Sequence, residues 1–193
     1  MRQTAMSAAL LEGLLSRYSV GTKHLSDPAP TLAELQRMTE AALRAPDHAG
    51  LVPFRLAAIR GDARERLADL FEQAAALAGK SAADAARDRL RALDAPLLVA
   101  VIARIDPGHP LATQHEQWMT VGGALTNFLN AAHAMGYSGK MLSGAKVRAA
   151  PVVAAFCEPG EQLVGWVVLG TALKPGSPKF SKPDAADVMR DWT

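Results

Sequence analysis

The chain has 193 residues, of which 49% are hydrophobic and 21% charged, with a formal net charge of +2. That length suits one domain able to bury roughly 70% of its unfolded surface, and the composition is that of a globular chain, not a disordered one. The small excess of scattered Lys and Arg argues against a nucleic-acid binder. The single cysteine, Cys157, excludes an intrachain disulfide and fits a reducing compartment. No stretch is long and apolar enough to span a membrane. The apolar run at 8–15 is broken by Glu12 and lacks a cleavage site, so no signal peptide is read and a cytoplasmic location is expected.

Taken in chain order, a first helix is predicted over residues 4–17, where Leu10, Leu11, Leu14 and Leu15 recur at helical spacing and make one apolar face. A loop with Pro28 and Pro30 follows. Thr31-Leu32-Ala33-Glu34 is a capping box that starts a second helix, and Pro46 ends it near Arg44 because it disfavours helical geometry at Ala45. Residues 54–60 read as a short strand. Gly61-Asp62 opens a third helix, with Asp62 and Glu65 as a second box and Leu67, Leu70 and Phe71 on its inner face. Residues 81–92 read as a weaker, alanine-rich helix.

The apolar run 96–103 is bounded by Pro96 and Asp106-Pro107-Gly108, which predicts a strand buried on both faces. Thr113-Gln114-His115-Glu116 opens the longest helix, which reaches Met135 and stops at Gly136. Its middle is small (Gly122, Gly123, Ala124, Ala131, Ala132), which suits either close packing within the chain or a subunit interface. Residues 138–144 read as a Gly- and Ser-bearing connection, and 152–156 and 163–169 as two more strands. The tail from Lys174, with Pro175, Pro178 and Pro183, is not expected to form a regular element. The class is α+β, a mixed sheet with helices packed around it.

Three segments carry polar chemistry between apolar elements. Arg17-Tyr18-Ser19 supplies a forked cation and a short hydroxyl, the donors a phosphate monoester needs; alternatively, Arg17 only complements a helix C-terminus. Arg44-Ala45-Pro46-Asp47-His48 offers a cation and an imidazole for a cofactor, or a plain helix end and turn. The third, Met141-Leu142-Ser143-Gly144, can bring backbone amides near a ligand, or serve as an ordinary loop. No Walker loop, dinucleotide fingerprint, helical His pair or nucleophile elbow is present. Trp118 and Phe128 read as packing residues of the long helix, not as a stacking platform.

Arg17-Tyr18-Ser19, Asp27-Pro28-Ala29-Pro30-Thr31, Arg44 to His48, Glu116-Gln117, Ser143-Gly144-Ala145 and Val164-Gly165 with Leu169-Gly170-Thr171 occur in this order. In order and separation the chain resembles the nitroreductase family, within it the short YdjA-type branch. The resemblance implies a nitroreductase-like sheet sandwiched by helices, an obligate homodimer and one FMN at each of two subunit interfaces. It implies a single domain over 1–173 and a C-terminal extension, 174–193, that packs on the partner subunit. By position, Arg17, Tyr18 and Ser19 would hold the ribityl phosphate end or flavin edge. Arg44 and His48 would contact the cofactor from the other subunit, and Met141, Leu142 and Ser143 would line its opposite side.

The activity implied is that of an FMN-dependent oxidoreductase. NADH or NADPH gives hydride to the flavin and leaves, and an electron-poor nitroaromatic or quinone takes its place, with no protein side chain as acid, base or nucleophile. Many relatives carry a second arginine where this chain has Tyr18, a basic residue where it has Gly21 and, in the close branch, an arginine where it has Leu142. Those departures motivate an alternative: a flavin-binding or carrier protein with little turnover.

Overall fold

The computed structural model describes residues 2–176 and 181–192. A five-stranded sheet lies between two helical layers. In it β1 (Leu25–Ser26), β2 (Phe54–Ile59), β3 (Leu97–Ala103), β4 (Ser138–Leu142) and β5 (Gln162–Ala172) are ordered β1-β5-β3-β2, with β4 pairing β5. β4 and β1 share one edge of β5, opposite β3, at successive registers. The sequence suggested a mixed sheet, but every described pairing is antiparallel.

β3 explains the two layers. All seven of its residues are buried. Leu98, Ala100 and Ile102 join a core with Leu67, Phe71, Val152 and Trp166, beneath α3 (Asp62–Leu77) and α6 (Ala150–Phe156). Leu97, Val99 and Val101 join Met38, Phe128 and Val167 on the other face, beneath α2 (Leu32–Ala42) and α5 (Gln114–Ala134). The two-residue period of a strand sends alternate side chains to opposite faces, so an unbroken apolar run serves two cores. α4 (Ala82–Arg91) pairs with α3 as a helical hairpin.

The predicted capping box forms at Thr31 with Glu34, and the segment expected to open α5 makes another, Thr113 with Glu116. The predicted box at Asp62 and Glu65 does not form: Gly61, at φ 52, precedes α3 without a side-chain cap, and Asp62 is already the first helical residue. There its charge favours the helix dipole instead. Residues 152–156 belong to a helix, not a strand. Pro151 stands in the first turn, where its missing N–H costs nothing. Conversely, the predicted connection after α5 is strand β4. Its neighbour β5 allows this because Gly139 has no side chain; a Cβ there would lie 2.0 Å from the Val168 carbonyl oxygen. The tail carries one short helix, α7 (Ala185–Val188), where no regular element was expected, and Pro178 lies outside the described residues.

α1 (Arg2–Ser16) departs furthest from its expected role. The leucines of its apolar face are not core residues of this chain: Leu10, Leu11, Leu14 and Leu15 are 53–69% exposed. In α5 the small residues divide. Gly123 faces its own chain, where a Cβ would approach Ala45 to 3.2 Å, while the space beside Gly122 is open. No helix of the described residues is long and apolar enough to cross a membrane.

Candidate functional site

Two of the predicted segments stand at opposite ends of α5, and the third lies along β4. At the C-terminal end of α5, Arg17 and Tyr18 form a shallow recess with Leu129, His133, Tyr137 and Gly139. The strap after α1 is fixed there at two points. Ser16 Oγ lies 3.2 Å from His133 Nε2, and the Val20 N–H donates to the Gly139 carbonyl at 3.1 Å. The second bond lays the segment 17–20 along the start of β4. Among the described residues the guanidinium of Arg17 has no hydrogen-bond or ion-pair partner, and Ser19 is exposed. Tyr18 is half-buried beside the start of the tail, its hydroxyl against Gly176.

β4 carries the third segment. Met141 turns to the core shared with α2 and α5 and Leu142 to the one shared with α3 and α6, as strand alternation requires. Ser143 follows, exposed, and donates its hydroxyl to the Val164 carbonyl at 3.0 Å. Gly165 opposite has φ 154, and a Cβ there would lie 2.1 Å from the Leu142 carbonyl oxygen. A glycine at that bulged position lets the end of β4 close onto β5.

The remaining segment stands at the N-terminal end of α5. Arg44 is exposed just past α2, and its side chain makes no described contact with another polar group. His48 opens a tight turn, His48–Gly50, in which Ala49 (φ 67) is left-handed, as is Val52 (φ 48) just after it. Such backbone is unusual for residues with a side chain, a β-branched one most of all. Asp47 holds it: its Oδ2 accepts from the Val52 N–H at 2.7 Å. Thr120 of α5 ties the turn down by donating to the Pro46 carbonyl at 2.8 Å.

Glu116, to which the sequence assigned no role in the site, governs the imidazole. One oxygen, Oε2, accepts from the backbone N–H and the hydroxyl of Thr113; the other, Oε1, lies 2.9 Å from His48 Nδ1. The Thr113 amide, then His48 and the Thr113 hydroxyl, hold the Glu116 carboxyl at about 2. An ionised carboxylate only accepts, so His48 Nδ1 carries a proton and donates it to Glu116. The capping-box spacing was visible in the sequence, but the free second oxygen of its glutamate and the ring it meets were not.

Within one chain Arg17 and His48 cannot meet. Glu116 and His133 stand 17 residues apart on one helix, so at about 1.5 Å per residue they are roughly 25 Å apart. The structure therefore sets Arg17 and Tyr18 beside the start of β4, carries Met141, Leu142 and Ser143 away from them along that strand, and leaves Arg44 and His48 at the other end of α5.

A helix–sheet–helix sandwich with a cationic strap along an edge strand and a polar turn at the far end of its central helix defines a class of α+β proteins. Residues 14–171 match the Nitroreductase family, and the chain belongs to it. A relative from Escherichia coli (strain K12), called "Putative NAD(P)H nitroreductase YdjA", is 36% identical over 177 residues, 90% of this chain and 94% of that protein. Among solved structures, the nitroreductase-like family protein of Bacillus cereus superposes with a TM-score of 0.76 at 21% identity, covering 95% of each chain. An FMN complex of a Desulfovibrio desulfuricans protein gives 0.71 at 18% identity, covering 95% of this chain and 96% of that one. The likeness of these two is one of fold.

Proposed function

We propose that the protein is a homodimeric FMN-dependent oxidoreductase that uses NADH or NADPH to reduce a nitroaromatic or quinone acceptor. The reading rests on family membership, on the name of the E. coli relative and on the FMN found in a protein of the same fold. The observation that carries it furthest is the free guanidinium of Arg17 beside β4. A cation without a partner among the described residues and an exposed hydroxyl at Ser19 fit a phosphate monoester, and among those residues no second β-strand covers the adjacent edge of β4.

When bound, the flavin would accept hydride from the nicotinamide and pass it to the acceptor. The chain's own residues bind and orient. Arg17 and Ser19 hold the phosphate end, and Tyr18 supports that strap against the tail. Met141, Leu142 and Ser143 line the ring along the edge of β4, by backbone where the side chains of Met141 and Leu142 turn to opposite cores. Arg44, and His48 held by Glu116, reach the cofactor from the second subunit.

The dimer is supported by the exposed leucines of α1 and by the separation of Arg17 from His48 along α5. We assign residues 1–173 to a single domain and 174–193 to an extension over the partner. Val188, Met189 and Trp192 are 75–101% exposed on their own chain, which supports that assignment.

The test is the visible spectrum of the purified protein together with NAD(P)H oxidation in the presence of a quinone. A yellow protein that oxidises NAD(P)H supports the proposal. Bound flavin without turnover would replace it with the carrier reading, and a colourless protein that takes up no added FMN would end both.

A further inference from the structure

On the opposite face of the sheet from α5, three cations converge on one buried acid. Asp88, on α4, has a side chain only 2% exposed. Lys80 Nζ and Lys146 Nζ lie 2.7 and 3.1 Å from its Oδ2, and Arg91 Nη1 lies 2.6 Å from its Oδ1. Burial pushes the Asp88 carboxyl up, but the two lysines outweigh it and hold it below the ordinary carboxylate range. One buried negative charge thus anchors three positive ones, two of them on a single oxygen, with Asp84 beside Lys80 and Arg91, and the cluster keeps a net positive charge toward solvent.

The cluster stands at the meeting point of two hollows between the α3–α4 hairpin and the segment from β4 to α6. One, of about 340 Å³, is walled by Ala74, Leu77 and Ala149, with Lys80, Lys146 and Arg148 at its rim. The other, of about 390 Å³, has Phe71, Leu98, Leu142 and Trp166 as its floor and shares Lys80 and Lys146, with Arg91 beside them. Phe71 and Trp166 pack edge to face with centroids 5.0 Å apart, and Lys146 Nζ stands 5.1 Å from the Phe71 ring centre.

We propose that this cleft is a second ligand site, for a small aromatic carboxylate whose ring lies on Phe71 and Trp166 and whose anion meets Lys80, Lys146 and Arg91. The volume suits a small molecule, the floor suits a flat apolar body, and the charge is confined to one side, which matches a monoanion better than a polyphosphate. Asp88 is the positioning residue: it fixes the three cations in place before any ligand arrives. The proposal goes beyond the flavin reading; its cleft meets the proposed flavin lining at Leu142 and Ser143, so both ligands must bind at once.

The probe is 1-naphthoate, with neutral 1-naphthamide as its isosteric control, titrated calorimetrically into the full chain saturated with FMN. One naphthoate should bind per chain, about tenfold tighter than the amide, a gap of about 1.4 kcal/mol, and added salt should narrow it. Lys80→Met and Lys146→Met should each weaken naphthoate about tenfold and leave naphthamide unchanged. In the wild-type protein, naphthoate should shift the backbone amide resonances of Ala145, Lys146 and Val147, a readout that stands if a variant fails to fold. No binding, equal affinity for acid and amide, or shifts confined to other regions would overturn the proposal. So would competition with FMN, because the second hollow also borders Ser143 and competition would make it part of the flavin site. Failure to bind FMN at all would count against the flavin reading alone.

Discussion

Arg17 offers five N–H donors in a fixed fork, and among the described residues none of them has a partner. In the proposed role it makes charge-assisted bonds to a phosphate, each worth about 1.5–3 kcal/mol. Arg17→Ala should therefore weaken FMN about 10–100-fold and bleach the purified protein while the melting temperature of the FMN-free form stays put. Quenching of flavin fluorescence on titration measures it, and a variant as yellow as wild type would remove Arg17 from the clamp.

Glu161 belongs to stability. It takes two bonds from Arg55, at 2.8 and 2.5 Å, and its side chain is 4% exposed. Arg55 holds its carboxyl at about 2 against the opposing pull of burial, much as Thr113 and His48 do for Glu116. A folded-state pKa below that of the unfolded chain means stability that is present above about pH 4.5 and is lost as pH falls toward about 2. Glu161→Gln should cost about 2 kcal/mol near neutral pH, and the difference from wild type should close across that window in a series of thermal melts.

Among the elements, those fixed by local chemistry were legible and those fixed by neighbours were not. Thr31 and Thr113 announce their helices because a capping box is a local exchange of hydrogen bonds. The same boxes also reach far: Glu34 accepts from the Tyr137 hydroxyl at 2.9 Å, as Glu116 accepts from His48, so the start of each helix is pinned to a distant ring. β4 was unreadable as a strand because Ser138, Gly139 and Lys140 carry no apolar alternation; partnership with β5 alone makes it one. α6 misled in the other direction, since Val152 and Val153 favour strands by propensity and Pro151 was the quieter, correct signal. The cluster around Asp88 gathers residues from α3–α4 and from the turn after β4, so no spacing in the sequence could reveal it.

Because β4 depends on a neighbour, Gly139 is its weak point. A methyl group there would be driven into the Val168 carbonyl, with backbone on the receiving side. Gly139→Ala should destabilise the fold by about 3 kcal/mol, and hydrogen exchange should show the loss first in the β4–β5 pairs, Lys140 with Val168 and Leu142 with Trp166. Gly122→Ala, beside open space in α5, is the control: a single subunit should tolerate it, so any loss it causes reports on a partner.

For the whole molecule, a single chain presents two half-sites roughly 25 Å apart along α5 and a stripe of bare leucines on α1. The proposed two-fold dimer would resolve both facts: an isologous interface supplies each patch twice, and in the proposed pairing Arg17 of one subunit stands near the partner's His48. Leu11→Lys with Leu14→Lys should then yield monomers by sedimentation, and those monomers should lose FMN although every proposed contact residue is intact. Subunit mixing gives the sharper test. Arg17→Ala and His48→Ala homodimers should each bind FMN poorly. Unfolded together and refolded in equal amounts, half the molecules should pair one chain of each kind, and in those one site receives an intact Arg17 and an intact His48 while the other receives neither. About one quarter of wild-type FMN binding should return, as two-fold pairing of random chains requires. If both residues served a site within one chain, mixing would restore nothing, and the assignment of His48 to the partner's flavin would fall.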